Sequence, residues 1–264
     1  RRRKACDFHA ISNVSSSNKY LDRELIGRFG IGFVSVYQVT DTPIIRSLDV
    51  QLELDPLRGK STISTIPEID GSEFILPWAY DPDSPFRDKL SASAINPSDL
   101  DVLQDDLVRV AKDCLLFLRN LKKIEISRDG NKVKSSERLD LEGNKILLAH
   151  QPEDTVDDWF IIKADANEAA QSLREKYVQI KKLDRQTGIQ IAFLLDQENT
   201  LPGQIFAYLP TEQQSPLPCH INADFFPEQN RKALILSGEQ HERYWNEMLL
   251  GVAAKEIANH LLEL

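Results

Sequence analysis

Residues 25–43 read LIGRFGIGFVSVYQVTDTP, which sets Gly27, Gly30 and Gly32 inside an otherwise apolar run. Each glycine costs backbone entropy, and a run that only fills a core has little use for three of them. A ligand that approaches the backbone closely does have a use for them. N–H groups with no Cβ in the way can converge on phosphate oxygens, and a helix that starts at the loop adds its positive end. FVSVYQV predicts such a short helix from Gly32 onward, with Phe33, Val36 and Tyr37 on its buried face. The plainer alternative is a tight turn in which Gly27 and Gly30 serve packing alone.

The bulk composition narrows the function classes. With 264 residues, 41% hydrophobic and 28% charged, the chain has the composition of a soluble globular protein of about two domains. A formal net charge of -9 argues against a nucleic-acid or anionic-membrane surface, because both need a basic face. Cys6, Cys114 and Cys219 are odd in number and far apart, which suits neither a disulfide framework nor a zinc knuckle and points to a reducing, cytoplasmic setting. No apolar stretch reaches the length of a membrane span, and Arg-Arg-Arg-Lys at the start is followed by CDFHAISN, not by a signal-peptide core. The first residue is Arg1, so the chain reads as an internal piece of a longer protein.

Other nucleotide and catalytic motifs fit poorly. The loop runs G-x-x-G-x-G after a polar segment, the reverse of the Rossmann order. RGKST at 58–62 lacks the earlier glycine of a P-loop, since position 54 is Leu, and Lys60 reads as an exposed turn residue. His9, His150, His220, His241 and His260 form no H-E-x-x-H pattern and read as ordinary surface or edge residues. Asp105-Asp106 and Asp157-Asp158 read as solvated faces, and no hydrolytic dyad follows from spacing.

Residues 1–24 are polar and Ser-rich and suit a lid. PIIRS, DVQLELD, STISTI and SEFILPW read as four strands of an antiparallel meander, with Arg58-Gly59 and Asp70-Gly71 as turns. After a Pro- and Ser-rich connection, Ser98 is the expected N-cap of a long helix carrying a stripe of Leu103, Leu107, Val110, Cys114, Leu118 and Leu121. KKIEISRDGNKVKSS reads as a hairpin closed on Asp129-Gly130. The charged stretch 138–158 is the expected domain boundary. Beyond it come WFIIKA, a helical EAAQSLREKYVQIKKL, strands GIQIAFLL and GQIFAYLP, the segment CHINADF, and a helix from Gln240 to Leu262 with Tyr244, Met248, Val252, Ile257 and Leu261 on one face.

SSSNKYLDRELIGRFGIGFVSVYQVTDTP resembles the lid and glycine box of the GHKL, or Bergerat-fold, ATPases, closest to their heat-shock-protein-90-like and sacsin-like branch. The matching positions are Ser17, Lys19, Gly27, Phe29, Gly30, Gly32, Phe33, Ser35, Tyr37 and Asp41. GSEFILPW resembles the family's G-T-x-F-x-L-P strand, with Ser72 where a Thr lines the adenine pocket. LLFLRNLKKIEI is similar to the sacsin-like helix-to-strand passage, and GQIFAYLPTEQQSPLPCHINADFFPEQNRKAL to the second domain, whose loop Arg reaches the γ-phosphate.

The resemblance implies an α+β fold: the C-terminal part of a Bergerat-type α/β sandwich over residues 1–150, then a smaller α/β transducer-like domain over 155–264. It implies a chaperone-like ATP-binding protein that couples hydrolysis to conformational change. Ser17, Lys19, Gly27, Arg28, Phe29, Gly30, Ile31, Gly32, Phe33 and Ser72 would contact ATP, and Arg231, with Lys232 as fallback, would act at the γ-phosphate. Protein clients and an ATP-dependent homodimer are the implied partners. The family's D-x-G-x-G box does not occur in the 264 residues. That Asp, the water-activating Glu and the Mg²⁺-holding Asn are expected upstream of Arg1, so these residues alone are expected to bind ATP weakly or not at all. Two alternatives stand beside this reading: a non-catalytic interaction module on a degenerate Bergerat fold, and a DNA-dependent GHKL ATPase, which the acidic charge disfavours.

Overall fold

The computed structural model describes residues 32–195, 202–228, 230 and 232–260. These divide between Leu103 and Gln104 into two compact units, and both are of mixed helix and strand, as expected. Among the described residues no helix is long and apolar enough to cross a membrane.

In the first unit a 3₁₀ segment, Gly32–Gln38, leads into one long antiparallel hairpin of β1 (Ile44–Asp55) and β2 (Lys60–Ile75). The turn at Arg58-Gly59 forms as expected: Gly59 takes φ +62 and Asp55 Oδ1 accepts from the Arg58 N–H at 3.1 Å. The four-stranded meander does not form, because Asp70-Gly71 makes a bulge and not a turn. Ser47 pairs with Ser72 while Leu48 pairs with Ile69, so Asp70 and Gly71 are extra residues in a strand that carries on, and Gly71 absorbs the kink at φ +86. β1 is itself kinked here, with Leu48 at φ 53 and the register shifting on both sides of it, but the two strands pair again beyond, so the chain does not reverse.

Two helices follow, α1 (Pro85–Leu90) and α2 (Pro97–Cys114). α2 starts one residue ahead of the expected Ser98 cap. Proline is well placed at the first helical position, where no N–H is needed, and Asp99 Oδ2 accepts from the Asn96 N–H at 2.7 Å. The helix also ends earlier than its apolar stripe suggested. Leu107, Val110 and Leu121 are exposed, whereas Leu115, Leu116 and Phe117 leave the helix axis and are buried. Arg138 caps the end, its guanidinium donating to the carbonyls of Leu115 at 2.9 Å and Leu116 at 2.8 Å.

The second unit is the larger and is built on an eight-stranded sheet. Its strands are β3 (Lys123–Arg128), β4 (Asn131–Asp140), β5 (Lys145–Gln151), β6 (Thr155–Asp165), β7 (Gly188–Leu194), β8 (Gln204–Ala207), β9 (Leu209–Gln214) and β10 (His220–Ala223). The spatial order is β3-β4-β5-β6-β7-β10-β8-β9, antiparallel throughout except for β10 beside β8. Asp129 and Gly130, at φ 52 and 77, close the β3–β4 hairpin as expected. The expected boundary at 138–158, between domains 1–150 and 155–264, falls inside this sheet. Glu137 pairs with Ala149 and Ile146 with Trp159, so hydrogen bonds run across it without a break.

Both sheet faces are covered. On one, Ile162, Ile191 and Ile221 pack against α3 (Asn167–Lys176), α4 (Val178–Leu183) and α5 (His241–His260). On the other, Leu115, Leu116 and Phe117 cover Leu148, Trp159 and Phe206. α5 buries Trp245, Leu249, Ala253 and Ile257, a face one residue round from that expected through Tyr244, Met248 and Val252, which lie half-buried at its margin.

Among the described glycines, Gly203 has the least room for a side chain. A Cβ there would sit 2.1 Å from the Leu217 oxygen and 2.2 Å from the Cys219 oxygen. Gly203→Ala is therefore expected to destabilise the chain by about 1–3 kcal/mol or more. Gly251, on α5 with open space where its Cβ would be, should respond in the opposite sense, Gly251→Ala adding roughly 0.5–1 kcal/mol. Urea unfolding of the two variants beside the parent measures both signs.

Candidate functional site

Of the residues expected at a nucleotide site, Ser17, Lys19, Gly27, Arg28, Phe29, Gly30, Ile31 and Arg231 lie outside the described residues. Gly32, Phe33 and Ser72 belong to the first unit, where Gly32 opens the 3₁₀ segment. Phe33 packs against the buried Ile45, Leu52 and Leu54 of β1, and its ring stands 6.5 Å from Tyr37 and 6.3 Å from Phe74. Ser72 is two residues from Phe74 on β2. It is exposed, and its hydroxyl donates to Ser47 Oγ at 2.9 Å.

The far end of the 3₁₀ segment is tied down by Asp41. Its Oδ1 accepts from Arg87 Nε at 2.7 Å and its Oδ2 from the Ser84 hydroxyl at 2.7 Å, while Arg87 also donates to the Gln38 carbonyl at 3.0 Å. The Arg87 side chain is 2% exposed. Tyr37 stacks edge-on against Phe86, centroids 5.5 Å apart, and burial raises its phenol above the ordinary range. The 3₁₀ segment is thus clamped to α1 by charge and to β1 by an apolar cluster.

In the second unit, Arg231 has described neighbours. Pro227 bridges Leu234, Asn230 Oδ1 accepts from the Lys232 N–H at 2.9 Å, and Lys232 Nζ meets Glu212 at 3.1 Å on the surface. The fallback cation is therefore engaged in an exposed ion pair.

The structure corrects the reading of two histidines and one aspartate. His150 and His220 are buried, at 1% and 4% exposure, and Asp157 is an inward ion-pair partner, 3.3 Å from His150 Nε2 and 3.2 Å from Lys112 Nζ. A signal was present in KILLAHQ: Ile146, Leu148 and His150 alternate, so the face that buries the first two must bury the third. Among the described residues no group of three or more His, Cys, Asp or Glu is arranged to hold a metal ion.

Residues 4–68 match the Sacsin domain family, a stretch that takes in Gly27, Gly30 and Gly32, β1 and part of β2. Over 50 residues the chain is 50% identical to human Sacsin, a match covering 19% of this chain and 1% of that protein. The chain thus has a sacsin-like relationship and spans about 1% of the relative's length. No solved structure matches.

Removing Asp41 would leave the buried Arg87 guanidinium unpaired, which typically costs about 3–5 kcal/mol. Asp41→Ala should lower the midpoint of thermal unfolding sharply, and Asp106→Ala, which like its Arg109 partner is exposed, should change it little. Calorimetry on both variants compares the two.

Proposed function

We propose that residues 27–33 form the phosphate-binding loop of a GHKL-type ATP site in a chaperone-like protein whose nucleotide cycle drives conformational change. The observation that carries this reading is the Sacsin-domain match over residues 4–68, because it contains Ser17, Lys19 and all three glycines in their lid-and-box order. The anchoring of Phe33 on β1 and of Asp41 on Arg87 supports it further: a backbone cradle needs at least one fixed end to hold its N–H groups in place.

ATP with Mg²⁺ would supply the transferable γ-phosphoryl group. Backbone N–H groups of 27–33 would hold its phosphates, Lys19 would close over them, and Ser72 would offer a hydroxyl towards the adenine. Arg231 would stabilise charge at the γ-phosphate, a role its rigid, permanently charged fork suits. An arginine of this kind elsewhere contributes roughly a thousandfold or more in rate.

The test uses the full-length protein. Gly32→Val should abolish binding of ATP-Mg²⁺ measured by calorimetry while circular dichroism stays unchanged. Arg231→Ala should lower steady-state hydrolysis at least tenfold with affinity nearly retained. Unchanged binding by Gly32→Val would leave the glycines as packing turns and the protein as a non-catalytic interaction module.

A further inference from the structure

Five ionisable side chains gather beside Trp159 on the sheet face that Leu115 and Phe117 cover. Lys112 and Asp113 come from the last turn of α2, His150 from β5, Asp157 from β6 and His220 from β10. His150 Nδ1 stands 3.0 Å from Ser136 Oγ and its Nε2 3.3 Å from Asp157. The order Ser136, His150, Asp157 is that of a nucleophile, base and acid, but Ser136 is 0% exposed, so no substrate can reach it. The His150 ring and then Lys112 hold Asp157 below the ordinary carboxylate range.

With Lys112 committed to Asp157, Asp113 faces His220. His220 Nδ1 accepts from the Gln204 N–H at 3.0 Å, which puts the ring proton on Nε2, and the ring stacks on Trp159 with centroids 5.0 Å apart. Nε2 lies 3.9 Å from Asp113 Oδ2, too far for a direct hydrogen bond. Asp113 Oδ1, His220 Nε2 and Trp159 Nε1 are buried with no hydrogen-bond partner among the described residues. The Asp113 side chain is 21% exposed, but the sealed Oδ1 has neither water nor a donor, and a proton on the carboxyl relieves that cost.

We propose that Asp113 and His220 act as one internal proton-binding pair: in weakly acid solution the carboxyl carries the proton and the imidazole stays neutral, so folding moves a proton from the histidine to the aspartate. The unfolded pair then holds one proton on His220, the folded pair one on Asp113, and folding takes up none from solution.

Burial pushes Asp113 up to about 6, with Lys112 opposing, Asp157 adding and His150 opposing in turn. Burial and Lys112 push His220 down to about 4. Of the neighbouring charges, Glu153 near His150 meets Lys134 at 2.8 Å, while Asp158 alternates to the opposite face of β6. Burial and Asp113 keep the Cys114 thiol un-ionised, at about 11. As pH falls from about 6 towards 3.8, the folded aspartate takes up a proton before the unfolded one does, which stabilises the fold. As pH falls from 6.5 to about 4, the unfolded histidine takes up a proton that the folded one refuses, which destabilises it. The two effects share a window and oppose each other.

Urea unfolding of the whole chain in a Trp78→Phe background, which leaves Trp159 and Trp245 as reporters, tests this between pH 6.5 and 4.5. Relative to the parent over that interval, the unfolding constant of Asp113→Asn should rise roughly tenfold or more, and that of His220→Gln should fall by a similar factor. Parallel profiles for parent and both variants would overturn the pairing. Nitrogen-15 NMR of the parent gives a second readout that needs no variant to fold: a neutral, Nε2-protonated His220 ring down to pH 4.5 is expected, and titration near 6.5 would overturn the proposal.

Discussion

The second unit depends on one ion pair that is almost sealed from water. Arg185 and Asp224 meet at 2.8 Å with side chains 4% and 6% exposed, and the same guanidinium donates to the carbonyls of Asp224 and Phe225. Its Cζ lies 3.7 Å from the Phe226 ring centroid. Trp245 of α5 donates to the Asp224 carbonyl at 2.9 Å, and Asp224 Oδ2 accepts from the Gln186 N–H at 2.9 Å. Three elements therefore converge on residue 224: the approach to β7, the exit of β10 and the last helix. Two bare charges in this place would be costly, and the number of hydrogen bonds they accept and donate is what makes the arrangement tolerable.

β10 explains why so much depends on one short strand. All four of its residues are buried, and its side chains divide by alternation. Ile221 and Ala223 enter the core beneath the helices, while His220 and Asn222 turn to the other side. There Asn222 accepts from the Tyr208 N–H at 2.8 Å and donates to Gln190 at 3.2 Å, and His220 accepts from Gln204. The polar members of CHINADF thus satisfy backbone groups at the β8 end of the sheet, where the parallel pairing with β8 is only two residues long. Gly203 belongs to the same constraint, since any side chain there would strike the backbone that delivers β10.

What the sequence disclosed followed how local the determinant was. Asp129-Gly130 reads correctly because a two-residue turn with two positive φ angles is set by those residues themselves. Asp70-Gly71 has the same composition but is a bulge, and only the pairing with β1 on both sides of it decides that. The stretch 138–158 looks like a linker because Arg138, Asp140, Lys145, Asp157 and Asp158 scatter charge through it. In the sheet those charges find partners along their own strand or at the end of α2, as Arg138 does with Asp140 two residues on in β4 at 2.6 Å and Asp157 with Lys112. The two buried histidines were hidden by the same habit of equating polarity with surface. At the candidate nucleotide site the motif was legible as a pattern of glycines, but Asp41's clamp on Arg87 was not, since the partners lie 46 residues apart.

That clamp gives the glycine stretch its physical setting. Three glycines supply bare backbone but no rigidity, so an oriented cradle must borrow its order from whatever follows. Here the following residues are held twice within nine positions, by Phe33 in the β1 cluster and by Asp41 against a guanidinium from which water is excluded. The two anchors differ in kind. The apolar one fixes distance from the sheet and tolerates rotation of the segment. The charged one, with Ser84 and the Gln38 carbonyl joined to it, fixes orientation. Under the proposed ATP reading, the charged anchor is therefore the one that would set the direction in which the N–H groups of the loop face, and the apolar one their distance from the sheet.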